Sequence, residues 1–316
     1  MQQTENKNKI FTSPIFVTAM ALVCTALWGS ASPFIKLGYQ HCLVDTKVPS
    51  ILLFAGTRFA LAGLITVIIY SIARMKILYP KKENIIRVAK VSAFQTVLQY
   101  IFFYIGLANT TSVKGTIASG TNTFFSILIA SLIFRQEKLT VKKMVACLLG
   151  FAGIIAVNLN GLDLTMNFLG DGFVIFSAAA CGASSVLTKR YSKYEDPVVI
   201  SGYQFIGGGI FMMIAGLAFG GKMKLTSGTG IAVIIYLAFL SAIAYSVWGI
   251  LLKHNPVSKV TVFCFMTPVF GTILSMLMIT GEEKVNPINL VITLILVCTG
   301  ILMINYQKPA KEENKE

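Results

Sequence analysis

The chain has 316 residues, 55% of them hydrophobic and 13% charged, with a mean hydropathy of +0.74 and a formal net charge of +14. Soluble globular domains carry about 25% charged residues, so this composition excludes an ordinary water-soluble fold and points to an all-α integral membrane protein. The Lys and Arg residues lie in short segments beside apolar runs, as a topology signal, and not in one interleaved patch of the kind that holds nucleic acid.

A bilayer-crossing helix needs about 20 apolar residues, and ten runs approach that length: 15–36, 50–73, 88–108, 112–134, 141–159, 169–188, 198–219, 229–252, 258–280 and 287–306. Little chain is left between them for a soluble catalytic domain. The first run follows Lys7 and Lys9 and is about 22 residues long, beyond the roughly 7–15 of a secretory signal core. It reads as an uncleaved span, although Ser30-Ala31-Ser32 faintly imitates a cleavage site. Pro33 inside it, like Pro268 inside the ninth, predicts a local kink. Pro49, Pro197, Pro256 and Pro287 stand at or just before span starts, where a missing N–H costs nothing. In the fourth span Ser112, Gly115, Ser119, Asn122, Ser126 and Ala130 step by three or four and so share one helix face. Gly207, Gly208, Gly209, Gly216 and Gly220 in the seventh permit close helix approach, with a small-xxx-small pair at 216 and 220. The six cysteines show no metal-ligand spacing and read as small apolar fillers, all but Cys42 inside spans. Residues 307–316 are a charged tail that reads as disordered and cytoplasmic.

The chain is written twice. Ser112–Glu137 returns 145 residues later as Val257–Glu282, with Lys114 on Lys259, Thr116 on Thr261, Phe125 on Phe270 and Glu137 on Glu282. Tyr100 and Phe103 fall on Tyr245 and Trp248 at the same offset; Gly29, Ser32 and Lys36 fall on Gly182, Ser185 and Lys189 at 153. Phe59 and Gly63 fall on Phe205 and Gly209 at 146, and Gly153 and Asn158 on Gly300 and Asn305 at 147. Matches in the same order along both halves mean duplication, with repeats over 14–160 and 168–306. Five spans per repeat is an odd number, so the second copy enters from the opposite face. The loop charges agree: the loop after span two holds Arg74, Lys76, Lys81, Lys82, Arg87 and Lys90, whereas its partner after span seven holds Lys222 and Lys224. The positive-inside rule then places both termini in the cytoplasm of a multi-pass protein of the cell membrane. Inverted repeats of this kind place binding sites near the bilayer midplane, between the halves.

The two-copy, five-span layout resembles the EamA-type transporters of the drug/metabolite transporter superfamily. Span one reads Trp28-Gly29-Ser30, then Pro33 and Lys36, similar to the opening WG…P…K pattern of that family. Span two carries Arg58-Phe59 followed by Gly63, spans four and nine close with Glu137 and Glu282, and Pro268 stands where the second half of that family usually has a proline. The resemblance covers essentially the whole chain and implies ten transmembrane helices, as two inverted five-helix repeats, around a central cavity with alternating access. It also implies a small-molecule solute, with export of amino acids or similar amphipathic compounds as the family habit. Thr123 departs from the pattern, since span four of the family often has a proline there, and whether the first half has a matching kink stays open.

A transporter performs no covalent chemistry; it needs polar groups in the membrane that hold a solute weakly. At about 1.5 Å per residue the midplane falls near Gln99, Asn122 and Thr123, Ser241 and Tyr245, and Thr267 and Pro268. This belt of amide, hydroxyl and phenol groups competes with a simpler role as hydrogen-bonding glue between helices. Trp28, Tyr100, Phe103 and Trp248 form either aromatic walls for the solute or ordinary packing. Arg58, about 12 Å into span two, costs at least about 2.5 kcal/mol on insertion scales; it pairs with a solute carboxylate or phosphate, or else bonds backbone or snorkels.

No Asp or Glu stands at mid-span, so a carboxylate proton relay has no evident carrier. No cofactor or metal site is indicated. A phosphorylated or nucleotide-sugar substrate is the runner-up and demands several buried cations, where only Arg58, with Lys36 or Lys189, offers one. A channel lacks a filter sequence or ring of acids, and an enzyme lacks its signature, with His41 and His254 at span ends. A non-transporting sensor stays open, and nothing in the sequence specifies an oligomeric state.

Overall fold

The computed structural model describes residues 9–159, 165–278 and 286–306; Lys7, Glu282, Glu283, Lys284 and the tail 307–316 lie outside the described residues. Ten helical rods follow one another: α1 Pro14–Cys42, α2 Val48–Ala73, α3 Lys82–Ala108, α4 Val113–Ile133, α5 Val141–Val157, α6 Phe168–Tyr191, α7 Pro197–Ala218, α8 Gly228–His254, α9 Val257–Leu274 with its last turn to Met278, and α10 Pro287–Asn305. Nine of these, among the described residues, are long and apolar enough to cross a membrane. The tenth, α5, has 17 residues, a rise of about 26 Å, a little less than the ~30 Å hydrocarbon core.

Pairing of the rods repeats on exchange of the halves. The pairs α2 with α7 and α5 with α10 each join equivalent helices across a pseudo-twofold axis. The contact of α1 with α8 is answered by α6 with α3, and that of α1 with α9 by α6 with α4. This equivalence reaches individual atoms. A methyl group on Gly29 of α1 would lie 2.7 Å from Phe270 Cβ of α9, and one on Gly182 of α6 would lie 2.7 Å from Ser126 N and 2.9 Å from Phe125 Cβ of α4. Likewise Gly153 approaches Thr293 O and Gly300 approaches Ala146 O, with Thr293 Oγ1 donating to Gly153 O at 2.9 Å. Helices in lipid gain little from apolar burial against one another, so small residues that let backbones meet are the source of their packing energy.

The closest approach is α2 against α7. An added Cβ would stand 2.6 Å from Met213 N at Gly56, 2.5 Å from Gly202 O at Gly63 and 2.4 Å from Ala60 N at Gly209. Gly216 meets Leu53 in the same seam, but Gly220 does not. It lies beyond the end of α7 with φ of +80°, where Gly221 N–H returns to Gly216 O at 2.8 Å and closes the helix; glycine accepts that left-handed turn without strain.

α1 runs on through Pro33 and takes in His41 and Cys42, six residues past the expected end at 36. In α9 a short 3₁₀ stretch, Val262–Phe265, lies just before Pro268, whose ring excludes the bond to Cys264 O. The counterpart, α4, carries Thr123 instead of proline, yet it too is interrupted, with a turn at Gly120 and Thr121 between Ser119 and Asn122. Both halves are therefore interrupted in this helix, the first without a proline.

Matching staples hold the two ends. Asp45 accepts from Ser50 Oγ at 2.6 Å and Lys47 N at 3.2 Å, and Ser50 Oγ accepts Lys222 N–H at 3.0 Å; the Ser50 bond keeps the Asp45 carboxyl below its usual range. At the other end Glu195 accepts from Lys81 N at 2.9 Å and Asn84 Nδ2 at 3.0 Å. Burial alone would raise the Glu195 pKa, and these bonds lower it on balance.

Overpacking a helix seam costs about 1–3 kcal/mol. Gly209→Ala is expected to lower the thermal midpoint of the purified protein, while Gly207→Ala, whose new methyl would meet Ser92 Oγ at an ordinary 3.7 Å, leaves it unchanged or slightly higher. Equal midpoints for the two variants would contradict this account of the seam.

Candidate functional site

Residues of α2, α3, α7 and α8 converge on the pseudo-twofold axis. The rings of Phe59 and Phe205, equivalent residues of the two halves, stack with centroids 5.1 Å apart and planes 3° from parallel. Tyr100 and Tyr245, also equivalent, share a hydrogen bond of 3.1 Å between their hydroxyls. Phe59 lies 4.5 Å from Tyr100 and Phe205 4.9 Å from Tyr245, so four aromatic side chains form a closed, two-fold figure. Trp28 of α1 extends it, with centroids 5.0 Å from Tyr245 and 4.8 Å from Trp248.

Arg58 stands beside this figure, ten residues into α2 and about 15 Å along it. It is 3% exposed. Its guanidinium carbon lies 4.2 Å from the centroid of Phe59 and 5.8 Å from that of Tyr100, and Tyr104, Tyr100 and Tyr39 are its electrostatic neighbours. Among the described residues no carboxylate forms an ion pair with it, and its Nε is buried without a hydrogen-bond acceptor. Ring faces return part of the lost hydration, about 0.5–2 kcal/mol per cation–π contact, but an unpaired charge and an unmet donor remain costly. The Trp28 indole N–H is likewise buried without a partner, while the Tyr104 hydroxyl lies against Arg58 and Tyr39 as a side-chain neighbour. Two buried donors of the cluster, Arg58 Nε and the Trp28 indole N–H, thus stand without an acceptor among the described residues.

The midplane residues divide into two groups. Trp28, Arg58, Tyr100, Tyr245 and Trp248 come together in the aromatic cluster. Asn122 and Thr123 lie between α4 and its neighbours: Thr123 is fully buried and donates to Thr261 O of α9 at 3.1 Å and to Asn122 Oδ1 at 3.0 Å, the geometry of a link between helices. Asn122 Nδ2 points to Cys181 Sγ at 3.9 Å, and Cys181 is in turn an electrostatic neighbour of Tyr100 and Tyr245, so Asn122 borders the cluster through Cys181. Gln99 is half-buried, with Oε1 enclosed and unpaired. Thr267 is half-buried, and its backbone oxygen forms part of the Gly29 contact.

Phe59, Phe205, Tyr39, Tyr104 and Cys181 belong to the site without having been expected there. Tyr104 follows Tyr100 by four residues and so shares its helix face, while the repeat match of Phe59 with Phe205 marked a pair that the axis brings into contact. The halves depart from symmetry at the candidate residues. At the offsets of the duplication Arg58 corresponds to Gln204, Trp28 to Cys181, Trp248 to Phe103, Gln99 to Ala244 and Asn122 to Thr267. Gln204 is tied at one end only, its Oε1 accepting from Thr96 Oγ1 at 2.6 Å and its Nε2 buried without a partner. A symmetric scaffold thus presents bulky indoles on one side of the axis, and a small thiol with two amides on the other.

Comparison with known proteins agrees with this architecture. The model of the EamA-like transporter family matches residues 15–159 and 168–306. Two uncharacterized transporters of Bacillus subtilis (strain 168) are similar in sequence. YvbV is 22% identical over 302 residues, 90% of each chain. YyaM is 25% identical over 211 residues, 64% of this chain and 69% of its own. A chloroplastic WAT1-related protein of Arabidopsis thaliana is 23% identical over 53% of this chain and 43% of its own length. One solved crystal structure, 16% identical, superposes with a TM-score of 0.76 over 92% of this chain and 97% of its own, and so shares the fold.

Trp28 and Trp248 are the two tryptophans of the chain, and both lie in the cluster. Titration with an amphipathic solute that binds there is expected to change the intrinsic fluorescence, and Trp28→Phe or Trp248→Phe to remove part of the change. A saturating solute that leaves the spectrum of folded protein unaltered would place binding elsewhere.

Proposed function

Because the chain belongs to the EamA-like transporter family, we propose that it is a secondary transporter that moves a small amphipathic metabolite with one anionic group, an amino acid or similar compound, outward across the cell membrane by alternating access. The observation that carries this reading is Arg58, a buried cation with no carboxylate partner among the described residues, set against aromatic rings on the axis between the repeats. A solute carboxylate would supply the missing acceptor through charge-assisted hydrogen bonds. The rings of Trp28, Tyr100, Tyr245 and Trp248 would receive its apolar part, and Gln99, Asn122, Thr123 and Thr267 would border its polar remainder.

Charge accounting favours a carboxylate over a nucleotide sugar. Arg58 and Asp171 are the charged residues among the buried, described side chains, and a diphosphate left with one cation would lose more hydration than it regains.

Alternating access is supported by contacts that close opposite ends of the bundle. Glu137 accepts from Ser258 N at 3.1 Å and Ser258 Oγ at 2.8 Å and pairs with Lys143 at 3.3 Å, tying the end of α4 to the start of α9. At the other end Asp171 pairs with Lys114 at 3.2 Å and accepts from Thr110. In this reading the Glu137 end is cytoplasmic, because the positively charged loops gather there, and both termini lie on that side.

Counterflow in proteoliposomes tests the proposal. A panel of labelled amino acids, a nucleotide sugar and a lipophilic cation is expected to yield saturable exchange of an amino-acid-like compound. Arg58→Gln, which installs the residue found at the equivalent position of the second half, should lower that exchange at least tenfold, about 1.4 kcal/mol, while the methyl ester of the same solute loses less. Undiminished exchange by correctly inserted Arg58→Gln would remove Arg58 from the site, and absence of exchange by the folded wild-type protein across a widened panel would turn the reading toward a channel or a scaffold.

A further inference from the structure

Away from the axis, at the basic end of the bundle, α3, α4 and α6 enclose a cleft of about 630 Å³. Its mouth carries Arg87, Lys90 and Arg190, with Glu83 beside them, and its wall is Ile86, Phe94, Phe134, Ala183, Leu187 and Tyr191. The local sequence explains the pairing of charge with apolar surface. The first turns of α3, Ile85–Ser92, are amphipathic: Val88 and Val91 are buried, while Arg87 and Lys90 stand beside them. Val88, Val91, Leu187 and Ile200 make a small core on which Phe94, Phe134 and Tyr191 pack, and of these Leu187, Phe94, Phe134 and Tyr191 line the cleft.

Two of the cations are held in place by rings. The Arg87 guanidinium lies 4.1 Å from the centroid of Tyr194 and donates to Asn84 Oδ1, which is anchored by Glu195 through its amide. The Arg190 guanidinium lies 5.0 Å from the centroid of Phe134. Among the described residues none of the three cations forms an ion pair. With Glu83 counted, the mouth keeps an excess of two positive charges, from three cations less one carboxylate. Ile86 of the lining, and Leu132 and Ile133 of α4, which directly precede Phe134, are 68%, 59% and 69% exposed; such apolar helix surface is what the hydrocarbon of a bilayer covers.

We infer that this cleft binds an anionic glycerophospholipid, its phosphate held by Arg87, Lys90 and Arg190 and an acyl chain laid against Phe94, Phe134 and Leu187. Basic pockets between membrane helices hold acidic headgroups in this way. A free phosphate-bearing solute shares the headgroup chemistry, but it would leave the inner wall, from Phe94 to Ala183, against water. The lipid satisfies both parts of the cleft. This inference does not depend on the solute proposed for the axis.

Native mass spectrometry of the full chain, titrated with dioleoyl-phosphatidylglycerol or dioleoyl-phosphatidylcholine, tests it. The anionic lipid is expected to bind at least tenfold more tightly. The variant Arg87→Gln/Lys90→Gln/Arg190→Gln should lose that preference, whereas Lys76→Gln/Lys138→Gln/Lys193→Gln, which removes three charges from loops at the same end outside the cleft, should keep it. Ala183→Phe leaves every charge in place and fills the apolar wall; it should weaken phosphatidylglycerol binding several-fold even if the triple variant does not fold. Equal affinity for the two lipids, equal loss from the control triple variant, unchanged binding by Ala183→Phe, or displacement by sn-glycerol 3-phosphate at the same concentration as the lipid would each overturn the inference.

Discussion

Close approach of backbones along α2 and α7 is the constraint from which the rest of the bundle follows. Gly56, Gly63, Gly202, Gly209 and Gly216 leave no space for a Cβ between the two helices, and in lipid such contact takes the place of the apolar burial that drives folding in water. Because these helices are equivalent members of two repeats, their seam lies across the pseudo-twofold axis. It brings Phe59 onto Phe205, and the helices beside it bring Tyr100 onto Tyr245. The remaining pairs, α1 with α8 and α9 and α6 with α3 and α4, are then fixed by the same glycine contacts read twice.

Symmetry of the scaffold makes its exceptions informative. A two-fold arrangement of two halves in opposite senses has two related conformations, in which each half takes the role of the other; this is the structural root of alternating access in inverted-repeat transporters. A solute is not two-fold symmetric, and a site that recognises one must break the symmetry locally. Here the break falls where Arg58 faces Gln204 in the repeat, Trp28 faces Cys181 and Gln99 faces Ala244. In the proposed site Arg58, the one cation buried among the described residues, would give a direction, the indoles an apolar side, and Asn122 beside Cys181 a polar one.

Much of the fold was legible in the sequence, because the rules that govern it are local. Length and apolarity marked the spans, and near-constant offsets marked the duplication. The odd helix count and the uneven loop charges then required inversion. What the sequence left open or misplaced has physical causes. The break in α4 falls at Gly120 and Thr121 and not at a proline, so Thr123 could not settle a kink that the sequence left open. The extension of α1 to Cys42 depends on its docking against α8, where Gly230 approaches Cys42 Sγ and His41. Of the candidate cluster, Trp28, Arg58, Tyr100, Tyr245 and Trp248 were visible as aromatic or charged residues within spans. Their meeting was not, nor was the inclusion of Phe205, Tyr104 and Cys181, because contact across helices depends on rotation about each helix axis, which the sequence of one span does not specify. The cleft at the basic end was hidden for the same reason: Arg87, Lys90 and Arg190 read as topology signals until α3 and α6 are placed side by side.

The central claim is that an asymmetric site, built on a symmetric axis, holds the anionic end of a solute at Arg58. A structure of the protein with the exchanged solute bound, determined by electron cryomicroscopy in nanodiscs, tests it most directly. The account predicts solute density between α3 and α8, with an anionic oxygen about 3 Å from the Arg58 guanidinium and the Tyr100–Tyr245 hydrogen bond opened to admit it. Density that avoids the axis, with that hydrogen bond intact and Arg58 untouched, would contradict the account.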